Sequence, residues 1–227
     1  GLGWLRDGRM LVVSMSDRTL LAVDGDGTTS VHSDVSELTV FRCNDMVVGP
    51  NGRAWVGDFG YDLLSGAPPA PGSIVVVDPD GAARPAADGL GFPNGMVITG
   101  DGELVVAESS ANRLTAFRIA ADGTLADRRV WADLGATTPD GICLDLDDAI
   151  WVADPLHGEV VRVHDGGRTS ERVRTDRSGA FACVLGGDDG RTLFICTATE
   201  EASLDPSAPP VGAIETATVD VAGAGSP

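Results

Sequence analysis

Short runs of alternating apolar and polar residues recur along the chain, and each run follows a small polar turn. The runs are rich in Val, Leu, Ile and Trp, which is typical of half-buried strands. The turns begin at residues 7, 51, 101, 147 and 189, and the runs after them are RMLVVSM, RAWVGDF, ELVVAES, AIWVADP and RTLFICT. The spacing of these turns is close to the length of one β-propeller blade.

A second set of apolar runs closes most units on an Asp-Gly or Gly-Gly turn. These runs are TLLAVDGDG, SIVVVDPDG, RLTAFRIAADG and EVVRVHDGG, and less regular runs such as RRVWADLG lead to the next unit. Four short strands in a unit of roughly 45 residues predict an all-β propeller with four-stranded blades. A β-sandwich with regularly spaced hairpins is the alternative, which the fixed order of turn types disfavours.

Two Pro- and Ala-rich segments interrupt the second and fifth units. They are DLLSGAPPAPG at 62–72 and EEASLDPSAPP at 200–210. We interpret both as exposed loops within a blade, because strand-like runs resume directly after each of them. The chain is therefore predicted to form one propeller domain over residues 1–227.

Polar residues occupy the same position of three successive units, eight residues before the second residue of the turn. The position holds Asn44, Asn94 and Asp140, followed by Ala182 in the fifth unit. Equivalent positions at the start of each innermost strand converge on the channel of a propeller. Two amide oxygens and a carboxylate are ligands suited to Ca²⁺ or Mg²⁺ and, less selectively, to Mn²⁺ or Zn²⁺. Each turn alone is ordinary, but the shared register indicates a metal site.

The charge composition limits the kinds of binding partner that the chain could have. The chain has 16 basic and 34 acidic residues and a formal net charge of -18, which disfavours nucleic acid and anionic membranes as partners. His32, His157 and His164 lack ligand spacing, and no G-x-S-x-G motif is present. A histidine zinc site and a serine hydrolase are therefore disfavoured.

The cysteines bear on the compartment. Cys43, Cys143, Cys183 and Cys196 are far apart and form no C-x-x-C pair, so we predict buried free thiols, which are typical of a reducing compartment. No apolar stretch approaches the ~18 residues that cross a bilayer. These features together predict a cytoplasmic protein.

Four segments carry a family resemblance. FRCNDMVVGPNGRAWVGD, GFPNGMVITGDGELVVAES, TPDGICLDLDDAIWVADP and GAFACVLGGDDGRTLFICTA resemble the SMP-30/gluconolactonase/LRE-like family of six-bladed β-propellers, which includes regucalcin and many sugar lactonases. The resemblance covers nearly the whole chain. It implies a divalent-metal-dependent hydrolase that opens a small-molecule lactone, most simply a sugar lactone, at one mouth of the channel.

The resemblance also implies roles for four residues. Asn94 of the PNG motif matches a metal ligand, and Asp140 of the PDG motif matches a ligand that also serves as general base. Asn44 of the R-x-N-D motif lines the metal or substrate site, and Arg42 of the same motif contacts substrate. One divalent cation, with Ca²⁺ favoured and Zn²⁺, Mg²⁺ or Mn²⁺ as alternatives, would polarise the lactone carbonyl.

Other polar residues near these motifs receive supporting roles. We predict that Asp45 props its own loop, and that Glu108 and Asp154, at matching points of the second strands, brace loops by hydrogen bonds. Asp58 and Tyr61, near the first insertion, could reach the channel mouth and shape the pocket.

The family pattern also contains a Glu in an EGP-type motif of the first blade, and this chain has no such motif. About five of six repeats are recognisable, so we expect an N-terminally incomplete propeller that lacks its first blade. Without that Glu, a non-catalytic metal- or partner-binding propeller is an alternative function. A related propeller esterase or phosphotriesterase is a second alternative.

Overall fold

The computed structural model describes residues 1–177, 179–199 and 211–225. Nineteen strands in these residues form five antiparallel sheets, four with four strands and the last with three. The first two sheets comprise β1 (Leu2–Trp4), β2 (Met10–Ser14), β3 (Thr19–Val23), β4 (Thr29–Asp34), β5 (Cys43–Val48), β6 (Ala54–Asp58), β7 (Gly72–Val77) and β8 (Ala83–Leu90).

The other three sheets follow in chain order. They comprise β9 (Pro93–Ile98), β10 (Glu103–Glu108), β11 (Arg113–Ile119), β12 (Leu125–Asp133), β13 (Ile142–Leu144), β14 (Ile150–Asp154), β15 (Glu159–Val163), β16 (Thr169–Arg174), β17 (Gly179–Gly186), β18 (Thr192–Ala198) and β19 (Ala213–Thr218). Each sheet packs on the next, and the innermost strands β1, β5, β9, β13 and β17 contact one another in sequence. The chain is an all-β propeller of five blades, the number of repeats that its sequence predicts.

The repeated turns predicted from the sequence link the innermost strand of each blade to the second strand. Gly8, Gly52, Gly102 and Gly190 have φ between +71° and +88° there, and Asp148 has φ +55°. Glycine adopts this left-handed conformation without the Cβ clash that other residues incur, which explains the glycine in four of the five turns.

In the second, third and fourth blades the second strand is buried on both faces, whereas β2 of the first blade is buried at alternate residues only. Trp55 and Trp151, in the second strands of their blades, are fully buried, and the Trp55 Nε1 donates to the carbonyl of Gly123 at 2.9 Å. The outer faces of the first and fifth blades differ, because large apolar side chains there are exposed, including Val31 at 64% and Ile214 at 69%.

The first insertion is a loop between β6 and β7 with one 3-10 turn at Leu63–Ser65, as predicted. The second, at 200–210, lies outside the described residues. Cys43, Cys143 and Cys183 are buried thiols, but Cys196 is exposed, because it lies on the outer face of the fifth blade. In the described part of the chain, every helical segment is too short and too polar to span a membrane.

Candidate functional site

The start of each innermost strand brings three predicted site residues to one mouth of the channel. Asn44 lies in β5, Asn94 in β9, and Asp140 two residues before β13. The Asn44 Nδ2 donates to the carbonyl of Pro93 at 3.0 Å, and the backbone N–H of Gly95 donates to the carbonyl of Asp140 at 3.2 Å. Three successive blades are therefore tied together at these residues.

Asn94 is held more tightly than an ordinary turn residue. It is only 8% exposed, and its Nδ2 lies 3.2 Å from the Ser109 Oγ, which donates in turn to the carbonyl of Pro139 at 2.6 Å. The Asn94 amide also hydrogen-bonds the carboxylate of Asp140. This network fixes the amide plane and joins Asn94 to the loop that carries Asp140.

Asp140 lies in an environment that disfavours its charge. Burial and the negative charge of Asp45 raise its pKa to about 7, against the opposing effect of hydrogen bonds from Asn94 and Gly141. Asp45 was predicted to support a loop, but it lies within β5, where its Oδ1 accepts the N–H of the next residue, Met46, at 2.8 Å. Its electrostatic effect on Asp140 is a property that the sequence pattern did not reveal.

The donor set fits a hard divalent cation. Hydrogen bonds engage the amide nitrogens of Asn44 and Asn94, and among the described residues their side-chain oxygens accept none. The carboxylate of Asp140 belongs to the adjoining blade and is affected by the negative charge of Asp45. Oxygen donors of this kind, with a net negative charge, are what Ca²⁺ and Mg²⁺ prefer.

The glycines after Asn94 and Asp140 have a packing role instead of the turn role that the sequence suggested. Neither has a positive φ. A Cβ on Gly95 would lie 2.6 Å from the backbone nitrogen of Ile142, and one on Gly141 would lie 2.8 Å from the Cα of Ala182. Because backbone atoms of the next blade occupy that space, only glycine allows the blades to close at the mouth.

Buried carboxylates at the ends of the second strands anchor the loops that carry the site residues. The Glu108 Oε2 accepts the N–H of Gly91 at 2.6 Å, and the Asp154 Oδ2 accepts the N–H of Thr138 at 3.4 Å. Both carboxylates have no solvent exposure. The predicted bracing roles of Glu108 and Asp154 are confirmed.

Each brace has its own charge environment. Burial alone would raise the pKa of Glu108, but Arg113, the N–H of Gly91 and Thr115 outweigh it and hold the pKa below its ordinary value. Asp154 lies 2.7 Å from the Nδ1 of His157. The site loops of the third and fourth blades therefore depend on fully buried acids.

Asp58 is the equivalent brace of the second blade, so the prediction that it reaches the channel mouth is wrong. It is fully buried and accepts the N–H groups of Gly60, at 2.7 Å, and Ser73. Burial raises its pKa, while the hydrogen bonds, led by the one from the Ser73 side chain, oppose this shift. Asp58 thus holds the two ends of the first insertion, between β6 and β7.

Arg42 lies near the mouth but contacts none of the three converging residues. Its carbonyl accepts the N–H of Phe59 at 2.9 Å, and its guanidinium lies 5.6 Å from the centre of the Phe41 ring. Among the described residues this guanidinium forms no ion pair. Its predicted contact with substrate stays a prediction.

An aromatic cluster beside the mouth was only partly foreseen. Phe59 stacks on Phe92 with ring centres 4.6 Å apart, and Tyr61 meets Phe92 edge-on at 5.9 Å. The position of Tyr61 near the insertion predicts that it lies near the mouth. No such prediction covers Phe59 or Phe92, although Phe92 immediately precedes the PNG motif.

A family model described as SMP-30/Gluconolactonase/LRE-like region matches residues 1–199. The chain belongs to this family. Pentonolactonase XacC of Haloferax volcanii is 30% identical over 198 residues, which are 85% of this chain and 65% of that protein. The chain thus spans less than two thirds of the length of this relative.

Solved structures agree on the fold. A gluconolactonase from Xanthomonas campestris superposes with a TM-score of 0.72 at 25% identity, covering 86% of this chain and 67% of that one. A regucalcin from Agrobacterium tumefaciens, described as a calcium-binding protein, superposes with a TM-score of 0.80 at 23% identity, covering 100% of this chain and 77% of that one.

Proposed function

We propose that this propeller is a divalent-metal-dependent lactonase that opens a sugar lactone to its aldonic acid. One observation carries the proposal: Asn44, Asn94 and Asp140 lie at the starts of three successive innermost strands, and hydrogen bonds link their segments at one mouth of the channel. The lactonase names of family relatives support the choice of lactones over other esters.

In this proposal Asn44, Asn94 and Asp140 hold the cation, which is Ca²⁺ by preference and otherwise Zn²⁺, Mg²⁺ or Mn²⁺. When bound, it would supply Lewis-acid polarisation of the lactone carbonyl. Asp140 also accepts the proton of the attacking water, and the family role gives Arg42 the task of donating hydrogen bonds to substrate oxygens. The braces Glu108 and Asp154 keep the site loops in place during this step.

Hydrolysis of δ-gluconolactone, followed by acid release at constant pH, tests the proposal. Turnover should be abolished by EDTA and restored by Ca²⁺ or another divalent cation. Asp140→Ala should lower kcat/KM by about 10²-fold or more, because it removes both a ligand and the base. The control is Asp188→Ala, an exposed carboxylate on the turn after β17, which should keep wild-type activity.

Three results would contradict the proposal. Full activity in Asp140→Ala would exclude the role assigned to this residue. Failure to hydrolyse any lactone or simple ester, with metal binding retained, would favour a non-catalytic metal-binding propeller. Turnover of aryl esters or phosphotriesters without turnover of lactones would instead indicate a related propeller esterase.

We also propose that the functional propeller has a sixth blade, seated between the first and fifth blades. Leu2 and Trp4 on the first blade, and Val184 and Ile214 on the fifth, are large apolar side chains left exposed. In the family pattern such a blade carries the EGP-type Glu, which would add a carboxylate ligand. An intact mass of the native protein larger by a blade of roughly 45 residues would support this; the 23.3 kDa of this chain would contradict it.

A further inference from the structure

Phe92 adopts a backbone conformation that its side chain disfavours. Its φ is +60°, in the left-handed region, where a bulky residue other than glycine is a genuine outlier. The conformation is maintained by a hydrogen bond from the N–H of Ser109 to the Phe92 carbonyl at 3.1 Å and by the ring stack on Phe59. Strain that a fold preserves at the rim of a candidate site points to a use for that side chain.

The aromatic cluster borders a cavity of about 290 Å³ between the second and third blades. Its wall combines the Pro-rich insertion after β6 with the segments before β9 and after β10. Its aromatic and aliphatic lining includes Tyr61, Pro69, Pro71, Leu90 and Phe92. Most of this wall is apolar.

We propose that this cavity is a subsite for an apolar substituent of the lactone, such as an alkyl group on the ring. The inference rests on the proposed function, and it adds the substrate class that the site prefers. The cavity lies just below the 300 to 1,000 Å³ that pockets for whole ligands occupy, so it suits a substituent better than a complete substrate.

The charges in the wall support a neutral occupant. Glu108 is the one carboxylate among the lining residues, and it pairs with the Nε of Arg113 at 2.9 Å and with Arg128 at 3.2 Å. Its oxygens also accept the N–H of Gly91 and the hydroxyl of Thr115. With its acid neutralised, the cavity offers mainly aromatic and aliphatic surface, which favours burial of an alkyl group.

The cavity wall adjoins the candidate metal site along the chain. Phe92 precedes Asn94 by two residues, and Ser110 of the cavity wall follows Ser109, whose hydroxyl contacts the Asn94 amide. A lactone ring at Asn94 and Asp140 could therefore extend a substituent between Phe92 and Tyr61. The backbone that positions the metal ligand positions the subsite wall as well.

Two lactones with the same six-membered ring test the subsite. δ-Decalactone carries a five-carbon chain, and δ-valerolactone carries none. We expect wild-type kcat/KM to be at least about tenfold higher for δ-decalactone, the discrimination that a few methylene groups provide in an apolar pocket. Phe92→Ala and Tyr61→Ala should each reduce this ratio to about threefold or less, while kcat/KM for δ-valerolactone stays within about twofold of wild type.

Leu156→Ala is the matched control, because Leu156 is an apolar residue 70% exposed on the turn after β14, at the same end of the propeller and outside the cavity. It should leave the ratio unchanged. Thermal unfolding checks that each variant is folded, and Tyr61, on the insertion loop, provides the second test if Phe92→Ala does not fold. An equal loss on both lactones in the variants, or no chain-length preference in wild type, overturns the subsite.

The failure of catalysis and the failure of the subsite are separable. If neither lactone is hydrolysed, the proposed function fails, and calorimetric titration of δ-decalactone and δ-valerolactone into the wild-type protein decides the subsite. Tighter binding of δ-decalactone that is lost in Tyr61→Ala supports it. Equal binding of both lactones, or binding of neither, contradicts it.

Discussion

The third and fifth blades share a strand plan but differ at two equivalent positions. The third has Asn94 near the start of its innermost strand and the buried Glu108 at the end of its second strand. The fifth has Ala182 and Thr197 at these places, and Thr197 is buried, at 3% exposed, but carries no charge. The fifth blade nonetheless forms a regular sheet. A propeller blade therefore requires neither the polar ligand nor the buried acid.

The two features occur together in the second, third and fourth blades. Glu108 supports the segment before Asn94 and Asp154 the segment before Asp140, while Asp58 holds the two ends of the first insertion. Burying a carboxylate is costly unless hydrogen bonds and charges compensate for it. Its retention in the three blades that converge on the mouth, and its absence from the fifth, indicates that the acids serve the site loops.

The largest effect is expected for Glu108→Ala, which removes the buried acid of the third blade. Removing this acid leaves the N–H of Gly91 and the guanidinium of Arg113 without their buried partner. We expect a loss of about 3 kcal/mol in the free energy of unfolding, measured by urea denaturation, together with reduced lactonase activity. Thr197→Val, at the equivalent position of the fifth blade, removes one hydroxyl hydrogen bond to Glu215 and should cost about 1 kcal/mol or less.

If Thr197→Val proved as damaging as Glu108→Ala, the position would matter to every blade and the link between acid and site would be lost. Glu103→Ala supplies a further control. Glu103 pairs with Arg129 nearer the surface and should cost about 1 kcal/mol or less.

A smaller effect on stability is expected for Gly141→Ala, at the mouth end of an innermost strand, than for Glu108→Ala. Gly141→Ala should also lower activity, whereas Gly102→Ala, at the opposite end of an innermost strand, should not. Gly141→Ala places a Cβ 2.8 Å from the backbone of Ala182. It should cost about 1 to 3 kcal/mol and lower kcat/KM at least tenfold, because Asp140 is displaced. Gly102→Ala meets open space at φ +86°, so it should cost about 1 kcal/mol through backbone strain and leave activity unchanged. Equal activity in the two variants would refute the packing role of Gly141.

The smallest expected effect is a difference between Glu108 and Asp58 in how their contribution to the free energy of unfolding depends on pH. The pKa of Glu108 is lowered from 4.5, so its stabilising contribution is present above pH 4.5 and is lost as the pH falls through the lower folded value. The stability difference between wild type and Glu108→Gln should therefore shrink in acid, by on the order of 1 kcal/mol per unit of pKa shift.

Asp58 should show the opposite sign. Its pKa is raised from 3.8, so the folded protein binds that proton more tightly than the unfolded chain does. Relative to Asp58→Asn, wild type should gain stability as the pH falls through the raised folded pKa towards 3.8. Urea unfolding between pH 3 and 7 measures both differences, and parallel curves for the two variants would contradict this assignment.

The sequence predicted the repeat, the turn positions and the convergence of Asn44, Asn94 and Asp140, because strand alternation and turn chemistry are local signals with a regular period. The same regularity placed Glu108 and Asp154 at equivalent strand ends. Their bracing role could be anticipated for this reason.

Features that depend on contacts between blades were missed or misread. Gly95 and Gly141 are required because the backbone of the next blade fills the space of a Cβ, and the sequence around them gives no sign of that contact. Asp58 was expected at the mouth because it lies near the insertion, yet its side chain turns inward to Ser73. The strained backbone of Phe92 arises from packing and has no signature in the letters around it.

The central claim, that three blades converge to form a metal site, is tested most directly by a crystal structure of the protein soaked in Mn²⁺, with anomalous diffraction data. The account predicts one anomalous peak within bonding distance of the Asn94 and Asp140 oxygens, with Asn44 beside it. A peak only elsewhere, for example near Asp148 at the opposite end of the channel, or no peak at saturating Mn²⁺, would contradict it.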